Sequence, residues 1–436
     1  MDHVVVESAN EPDRGVPRSL KLFAAGVASL LALACVALSL RLIGRAKYSG
    51  EDSWFPMFRA LDLLHGPSGS RIYETLFFSG HIKFQYPPSG LLLIDLMREL
   101  GITTSAQYNT INAGLLIITG LTFAIFAVQM LGSIRFYGFR LVLAPVSYLI
   151  TIRFYPNYLA FQFGQIQVLL GLLVLLACLA RINNRCVIAG CLIAAAATVK
   201  PQLALLSILA LWHRDWGFFR GFAVVFVAAS ALSITLYGWD NNLDYLKVLA
   251  FLSQHGEYHH LNQSINGILN RSLYHGPSVD QDPENPIPNS GFPPYIAAVY
   301  LSVILSSLVM IAIPFAARMT NSGMSRILNF CLAITLFTMA SPIAWVHHYN
   351  VLVPVFVVAL RAALDRLESW RLFSVLVLLL TSFILVAFPL TPPFGPTVPE
   401  FNLLQSHVFI GACILVGIML RLICSQEQLP HSDLQA

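Results

Sequence analysis

Glu51 and Asp52 follow closely on the apolar run 22–44, LFAAGVASLLALACVALSLRLIG, so a pair of carboxylates stands at a membrane surface. A run of about 20 apolar residues crosses the hydrocarbon core without an acid at its mouth. The pair is therefore free for chemistry, and a carboxylate placed there can take a proton from a hydroxyl. Cations able to hold an anion lie far along the chain: Lys200 in Lys200-Pro201-Gln202, Arg271 behind Asn262-Gln263-Ser264, and His347-His348 after Ser341-Pro342 and Trp345. Two more polar clusters, Tyr86-Pro87-Pro88 and Gly164-Gln165-Ile166-Gln167, interrupt apolar sequence. A purely structural membrane protein would avoid desolvating such groups, and ionisable residues at membrane depth mark function by default.

The elements that position these residues are membrane helices. Of 436 residues, 56% are hydrophobic and only 11% charged, where a soluble domain carries about 25% charged residues. The net charge of +4 is small for this length and no basic run is interleaved with aromatics, which excludes a nucleic-acid partner. Cys35, Cys178, Cys186, Cys191, Cys331, Cys413 and Cys424 all sit inside or at the edges of apolar spans, which argues against a disulfide framework or a zinc site. The first span is too long for a cleaved signal and lacks a small-residue cleavage site, so it is expected to stay as a helix.

Further apolar segments run over 110–132, 139–152, 165–181, 186–212, 218–237, 294–317, 327–345, 350–364, 371–389 and 406–423. Lys and Arg collect on the cytoplasmic side of a membrane. Arg14, Arg18 and Lys21 then place the N-terminus inside, and the short connections holding Arg135 and Arg140, Arg181 and Arg185, Arg214 and Arg220, Arg318 and Arg326, and Arg361, Arg366 and Arg371 become cytoplasmic. This alternation requires 186–212 to enter and leave on the same side, as two short helices meeting at Lys200-Pro201; proline disfavours a helical residue before it. Segments 45–87, 153–164, 238–293, 346–349 and 390–405 fall on the outer face, with the Pro- and Asn-rich second half of 238–293 expected as irregular loop. Segment 88–99 is too short to span and is expected as a re-entrant or interfacial helix. The expectation is one polytopic domain over 1–424 with a short cytoplasmic tail at 425–436, in the cell membrane, and without an internal repeat.

In order and spacing, the clusters from about residue 45 to 365 resemble the polytopic glycosyltransferases of family GT87. Asp52, Leu63-Leu64-His65-Gly66 and Ile72-Tyr73 are similar to the family's acid, leucine-rich stretch, glycine and Leu/Ile-Tyr. Tyr86-Pro87-Pro88, Gly164-Gln165, Lys200-Pro201-Gln202, Asn262 to Gly267 with Arg271, and Ser341 to His348 each match a further motif in sequence order. Val346 departs from the pattern, since an acid is common there.

The resemblance implies an all-α polytopic membrane protein, a GT-C type helical bundle with about 10–12 membrane helices and outer-face loops. It implies transfer of a sugar, mannose first among the options, from a polyprenyl-phosphate donor to a glycan or glycolipid acceptor at the outer face of the cytoplasmic membrane. A sugar on a lipid phosphate is already activated, so the enzyme must deprotonate the acceptor hydroxyl and stabilise the departing phosphate. Asp52 is taken as the base because its spacing to Gly66 fits the pattern, and direct attack on a β-linked donor gives an α-linkage by inversion. Tyr86, Gln165, Lys200, Gln202, Asn262, Gln263, Arg271, His347 and His348 are the implied substrate contacts, with no metal or cofactor required.

A plain structural reading stands beside each choice. Asp52 before an apolar-aromatic run is also a helix N-cap. Paired prolines after Tyr86 fix the approach to a short helix, Gly164-Gln165 can open a helix with a polar cap, and Lys200 can snorkel. Polar clusters at broken helices also mark transport pathways, so a transporter or flippase is the alternative function.

Overall fold

The apolar segments fold into helices separated by short turns, and two of the breaks fall at Lys200-Pro201 and Ser341-Pro342. The computed structural model describes residues 18–66, 71–132, 139–273, 292–317, 322–390 and 403–425. Arg14, Arg135, Arg318, residues 274–291, expected as irregular loop, residues 391–402 and residues 426–436 lie outside the described residues.

In chain order the helices are α1 (Arg18–Arg45), α2 (Trp54–Leu64), α3 (Leu92–Glu99), α4 (Ser105–Leu131), α5 (Phe139–Arg153) and α6 (Tyr155–Gln162). They continue with α7 (Gln167–Ile182), α8 (Cys186–Ala197), α9 (Leu205–Trp212), α10 (Trp216–Tyr237), α11 (Trp239–His255) and α12 (Ile265–Leu273). The last five are α13 (Ala297–Ala316), α14 (Gly323–Met339), α15 (Leu352–Arg366), α16 (Ser369–Ala387) and α17 (His407–Cys424). Among the described residues the single β pairing is an isolated bridge between Asn262 and Trp345. The protein is an all-α polytopic membrane protein. Seven helical stretches, built on α1, α4, α10, α13, α15, α16 and α17, are long and apolar enough to span a bilayer, and shorter apolar helices, α7, α8, α9 and α14 among them, pack between these.

Burial separates the centre from the periphery. The α15 span is 78% buried and α14 is buried along nearly its whole length, whereas the α1 span is 6% buried and turns Leu22, Phe23, Leu30, Leu33 and Leu40 outward. With lipid outside, an outward apolar face costs nothing, and helix association rests on close packing of small residues. The α8/α10 contact shows this: a Cβ on Gly190 would strike the Phe218 carbonyl, and one on Gly221 the Val187 carbonyl.

Several local outcomes differ from expectation. Segment 153–164 is the buried helix α6 with Pro156 in its first turn. The segment expected over 327–345 ends as helix at Met339, because Ser341-Pro342 breaks it, and the next helix begins as a 3₁₀ turn at Val346–Val351. Stretch 45–87 contains α2 and a π-helical turn at Tyr73–Ser79. The first half of 238–293 forms α11 and α12. The break in 186–212 falls where Pro201 placed it, with α8 ending at Ala197, Lys200 extended, and a 3₁₀ turn leading into α9.

Candidate active site

Asp52 sits in a short turn at the entry to α2, pinned to the α6–α7 turn. Gly50 N–H donates to Gln162 O at 2.8 Å, Asp52 N–H to Phe163 O at 3.0 Å, and Ser53 N–H to Gly164 O at 3.4 Å. Gly164 has φ +64°, and a Cβ there would collide with the Gly50 carbonyl, so only glycine lets the two segments approach. Asp52 does not cap α2: Ser53 holds the N-cap position and neither makes a side-chain capping bond.

Gln165, brought beside Asp52 by this pairing, donates its side-chain N–H to Asp52 Oδ2 at 3.3 Å. Its carbonyl oxygen accepts from Ser53 Oγ at 2.8 Å and Tyr86 Oη at 3.3 Å, and Ser53 and Tyr86 share a further 2.8 Å bond. Those donors fix which end of the Gln165 amide faces the carboxylate. Burial pushes the Tyr86 hydroxyl up to about 12, which keeps it a neutral donor. Burial also lifts the Asp52 carboxyl above its ordinary value, opposed by the Gln165 hydrogen bond and the charge of Lys83. A raised carboxylate is a stronger base once ionised.

Tyr86-Pro87-Pro88 has both an architectural and a lining role. Pro87 and Pro88 open the 3₁₀ turn leading into α3, while Tyr73 donates to the Tyr86 carbonyl at 2.6 Å and stacks on Phe84.

Asp52, Tyr86, Gln165, Lys200, Gln202, His347 and His348 line one cavity of about 340 Å³, within the usual range for a small-molecule site. Seven positions chosen from sequence thus converge from five separate stretches of chain. Lys200 Nζ, His347 Nδ1 and His348 Nδ1 are buried and have no hydrogen-bond partner among the described residues. Buried polar atoms are nearly always paired, so three orphans on residues that line one cavity point to a ligand.

Asn262, Gln263 and Arg271 are not brought to the cavity wall. Asn262 is fully buried; its side-chain N–H groups donate to Glu257 O and Pro342 O, and its oxygen accepts from Ala344 N–H. Gln263 donates to His260 O and Gln405 O and accepts from Phe409 N–H. Arg271 donates to His259 O, Asn262 O and Ser406 Oγ, and burial lowers its pKa to about 10. These residues tie the 257–264 loop to the 341–346 segment and to the start of α17, and so set the position of Trp345 and the histidines. Glu51 does not line the cavity.

Lys83, Gln85 and Glu257 line it and were not singled out from sequence. The Glu257 side chain is fully buried; it pairs with Lys83 at 3.0 Å and accepts from Gln85 at 3.4 Å and from Trp345 Nε1 at 2.8 Å. Gly256, at φ +63°, leaves no room for a Cβ beside Asn266 and so permits this placement. His259, stacked on Trp345 with ring centroids 5.6 Å apart, has its pKa pushed down to about 4 by burial and by the Lys83 and Arg271 charges, so it is neutral. The alternation of Lys83, Phe84 and Gln85 ahead of Tyr86 is the signal in the sequence that places Lys83 and Gln85 on one side of an extended strand-like segment. Among the described residues, no group of three or more His, Cys, Asp or Glu side chains is arranged to hold a metal ion.

The sequence profile of glycosyltransferase family 87 matches residues 84–342, more than half of the chain. The match includes Tyr86, Gln165, Lys200 and Gln202 and stops short of Asp52 and the histidine pair. A curated relative from Mycolicibacterium smegmatis (strain ATCC 700084 / mc(2)155), a polyprenol-phosphate-mannose-dependent alpha-(1-2)-phosphatidylinositol pentamannoside mannosyltransferase, is 27% identical over 217 residues. That alignment covers 49% of this chain and 47% of the relative, so the chain spans about half the length of the protein it matches.

Proposed function

Because the chain belongs to glycosyltransferase family 87, we propose that it moves a sugar from a polyprenyl-phosphate donor to the hydroxyl of a glycan or glycolipid acceptor, with Asp52 as the base. The Asp52 carboxylate takes the acceptor proton, the acceptor oxygen bonds to the anomeric carbon, and the bond from that carbon to the phosphate oxygen breaks with its electron pair leaving on phosphate. A single displacement of this kind inverts the anomeric centre. The leaving phosphate gains negative charge, and Lys200 with His347 and His348 receives it.

The observation that carries this reading is the sharing of one cavity by Asp52 and the unpartnered Lys200 Nζ, His347 Nδ1 and His348 Nδ1. A base and an anion site within one small cavity are what the reaction demands. Gln165 and Tyr86 orient the base, and Gln202 and the Glu257–Trp345 wall are placed to meet sugar hydroxyls. The mannose dependence of the M. smegmatis relative makes mannose the first sugar to test.

Charge placement supports an outer-face site. Arg181, Arg185, Arg214 and Arg220 lie at the ends of α7, α8, α9 and α10 remote from Gln165 and Lys200, and arginine-rich ends face the cytoplasm. Membranes containing the protein, incubated with radiolabelled polyprenyl-phosphate mannose, are expected to pass label to an acceptor glycan, and those containing Asp52→Asn are not. Equal labelling by both would remove Asp52 from the mechanism. A Glu51→Cys variant should react with a membrane-impermeant maleimide in intact cells; protection until lysis would put the site on the other face.

A further inference from the structure

At the end of the bundle remote from Asp52 there is a second cavity, of about 440 Å³, between the α7–α8 turn, the α9–α10 turn and the start of α14. Its wall is part apolar and part charged. Leu206, Leu209 and Ala210 supply an apolar side, and Arg181, Arg214 and Arg326 supply positive charge. Arg181 is already engaged: it pairs with Asp215 and lies over the rings of Phe218 and Phe330 at 5.7 and 5.4 Å. Arg214 and Arg326 are exposed and, among the described residues, make no side-chain hydrogen bond or ion pair. Arg214 has φ +56°, at a helix end where glycine or asparagine is the usual occupant; the neighbouring turn has Asn184 at φ +57°. The chain thus keeps a cation at a backbone position that disfavours it. Trp212 and Trp216 are exposed beside the cavity, together with the apolar Val187, Ile208 and Leu211, as at a bilayer interface.

We propose that this cavity seats the phosphate headgroup of an acidic phospholipid from the leaflet opposite the Asp52 site, held by Arg214 and Arg326. Arginine forms bidentate bonds to phosphate oxygens, the apolar side accommodates the glycerol and the upper acyl chain, and the bilayer supplies the ligand at high local concentration. The lipid bridges two helix pairs, α7–α8 with α9–α10, to the start of α14.

The test uses the full-length protein purified in detergent and measures bound lipid by native mass spectrometry with phosphatidylglycerol, phosphatidylcholine or glycerol 3-phosphate added. Wild type is expected to retain phosphatidylglycerol about tenfold or more better than phosphatidylcholine, and an Arg214→Gln/Arg326→Gln variant to lose that preference. Equal retention of phosphatidylglycerol by wild type and variant overturns the proposal. Binding of glycerol 3-phosphate as tight as that of the lipid overturns the lipid assignment in favour of a soluble phosphate. If the double variant fails to fold, Arg326→Gln alone, at an exposed side chain on α14, carries the same comparison. None of these readings uses sugar transfer, so the outcome is independent of the catalytic proposal.

Discussion

Gln165 places its side-chain N–H 3.3 Å from Asp52 Oδ2 while Ser53 and Tyr86 hold its carbonyl oxygen from the other side. The carboxylate therefore has a fixed donor, whose orientation is set by groups that cannot themselves reach Asp52's role. Burial raises the Asp52 pKa and this bond lowers it.

Asp52→Asn is expected to lower sugar transfer by about 10²–10⁴-fold, the usual worth of a general base. Glu51→Gln, off the cavity, should be milder. Because the folded-state pKa of Asp52 is above its unfolded value, ionisation at neutral pH costs folding free energy, and the cost is relieved as pH falls through the folded pKa. The Asn variant should thus be at least as thermostable as wild type above that window. A variant that loses both activity and stability would mark Asp52 as structural.

The acid limb of the rate–pH profile should lie above the ordinary carboxylate range, with rate rising as Asp52 ionises. Gln165→Leu removes a bond that favours the ionised form, so the limb should move to higher pH; the measurement is kcat/KM against pH for both proteins. An unmoved limb would disconnect Gln165 from the base.

Lys200→Met should raise KM for the polyprenyl-phosphate donor by about tenfold or more while leaving thermal stability unchanged or higher, since Lys200 Nζ has no partner among the described residues to lose and a membrane-depth ammonium is costly. Unchanged donor binding with reduced stability would instead assign Lys200 to structure and leave the phosphate to His347 and His348.

Gly164→Ala should lose activity by displacing the Asp52 segment. The left-handed φ costs on the order of 1 kcal/mol for a non-glycine residue, and the Cβ also meets the Gly50 carbonyl. Thermal melting and transfer rate should fall together.

Asn262→Ala should unfold the protein at markedly lower temperature. It would strand the Glu257 carbonyl and the Ala344 N–H in a buried site, each costing about 1–3 kcal/mol, while Pro342 O keeps its bond from Ser264 Oγ. Any protein that remains folded should show a lower rate with little change in donor KM; a selective KM effect would make Asn262 a ligand contact.

Residue types and their order were enough to establish the apolar spans, the break at Lys200-Pro201, and a short list of polar groups too costly to place at membrane depth without a purpose. Hydropathy is a local property, and proline acts on its own neighbours, so both can be read along the chain. The end of α14 at Met339 and the burial of α6 were less legible, because apolar composition continues through both and only packing distinguishes a spanning helix from an embedded one.

Tertiary structure alone decided which polar groups face ligand and which face the chain. Lys200 and Arg271 look alike as isolated cations, yet Lys200 lines the Asp52 cavity without a partner among the described residues while Arg271 turns to the His259 and Asn262 carbonyls and Ser406. Glu257 became a cavity residue only when Lys83, Gln85 and Trp345 were folded around it. A buried carbonyl or carboxylate demands a donor, and the sequence states only that donors exist. Which donor meets which acceptor depends on the approach of segments far apart in the chain, such as that of Gly50 and Gly164.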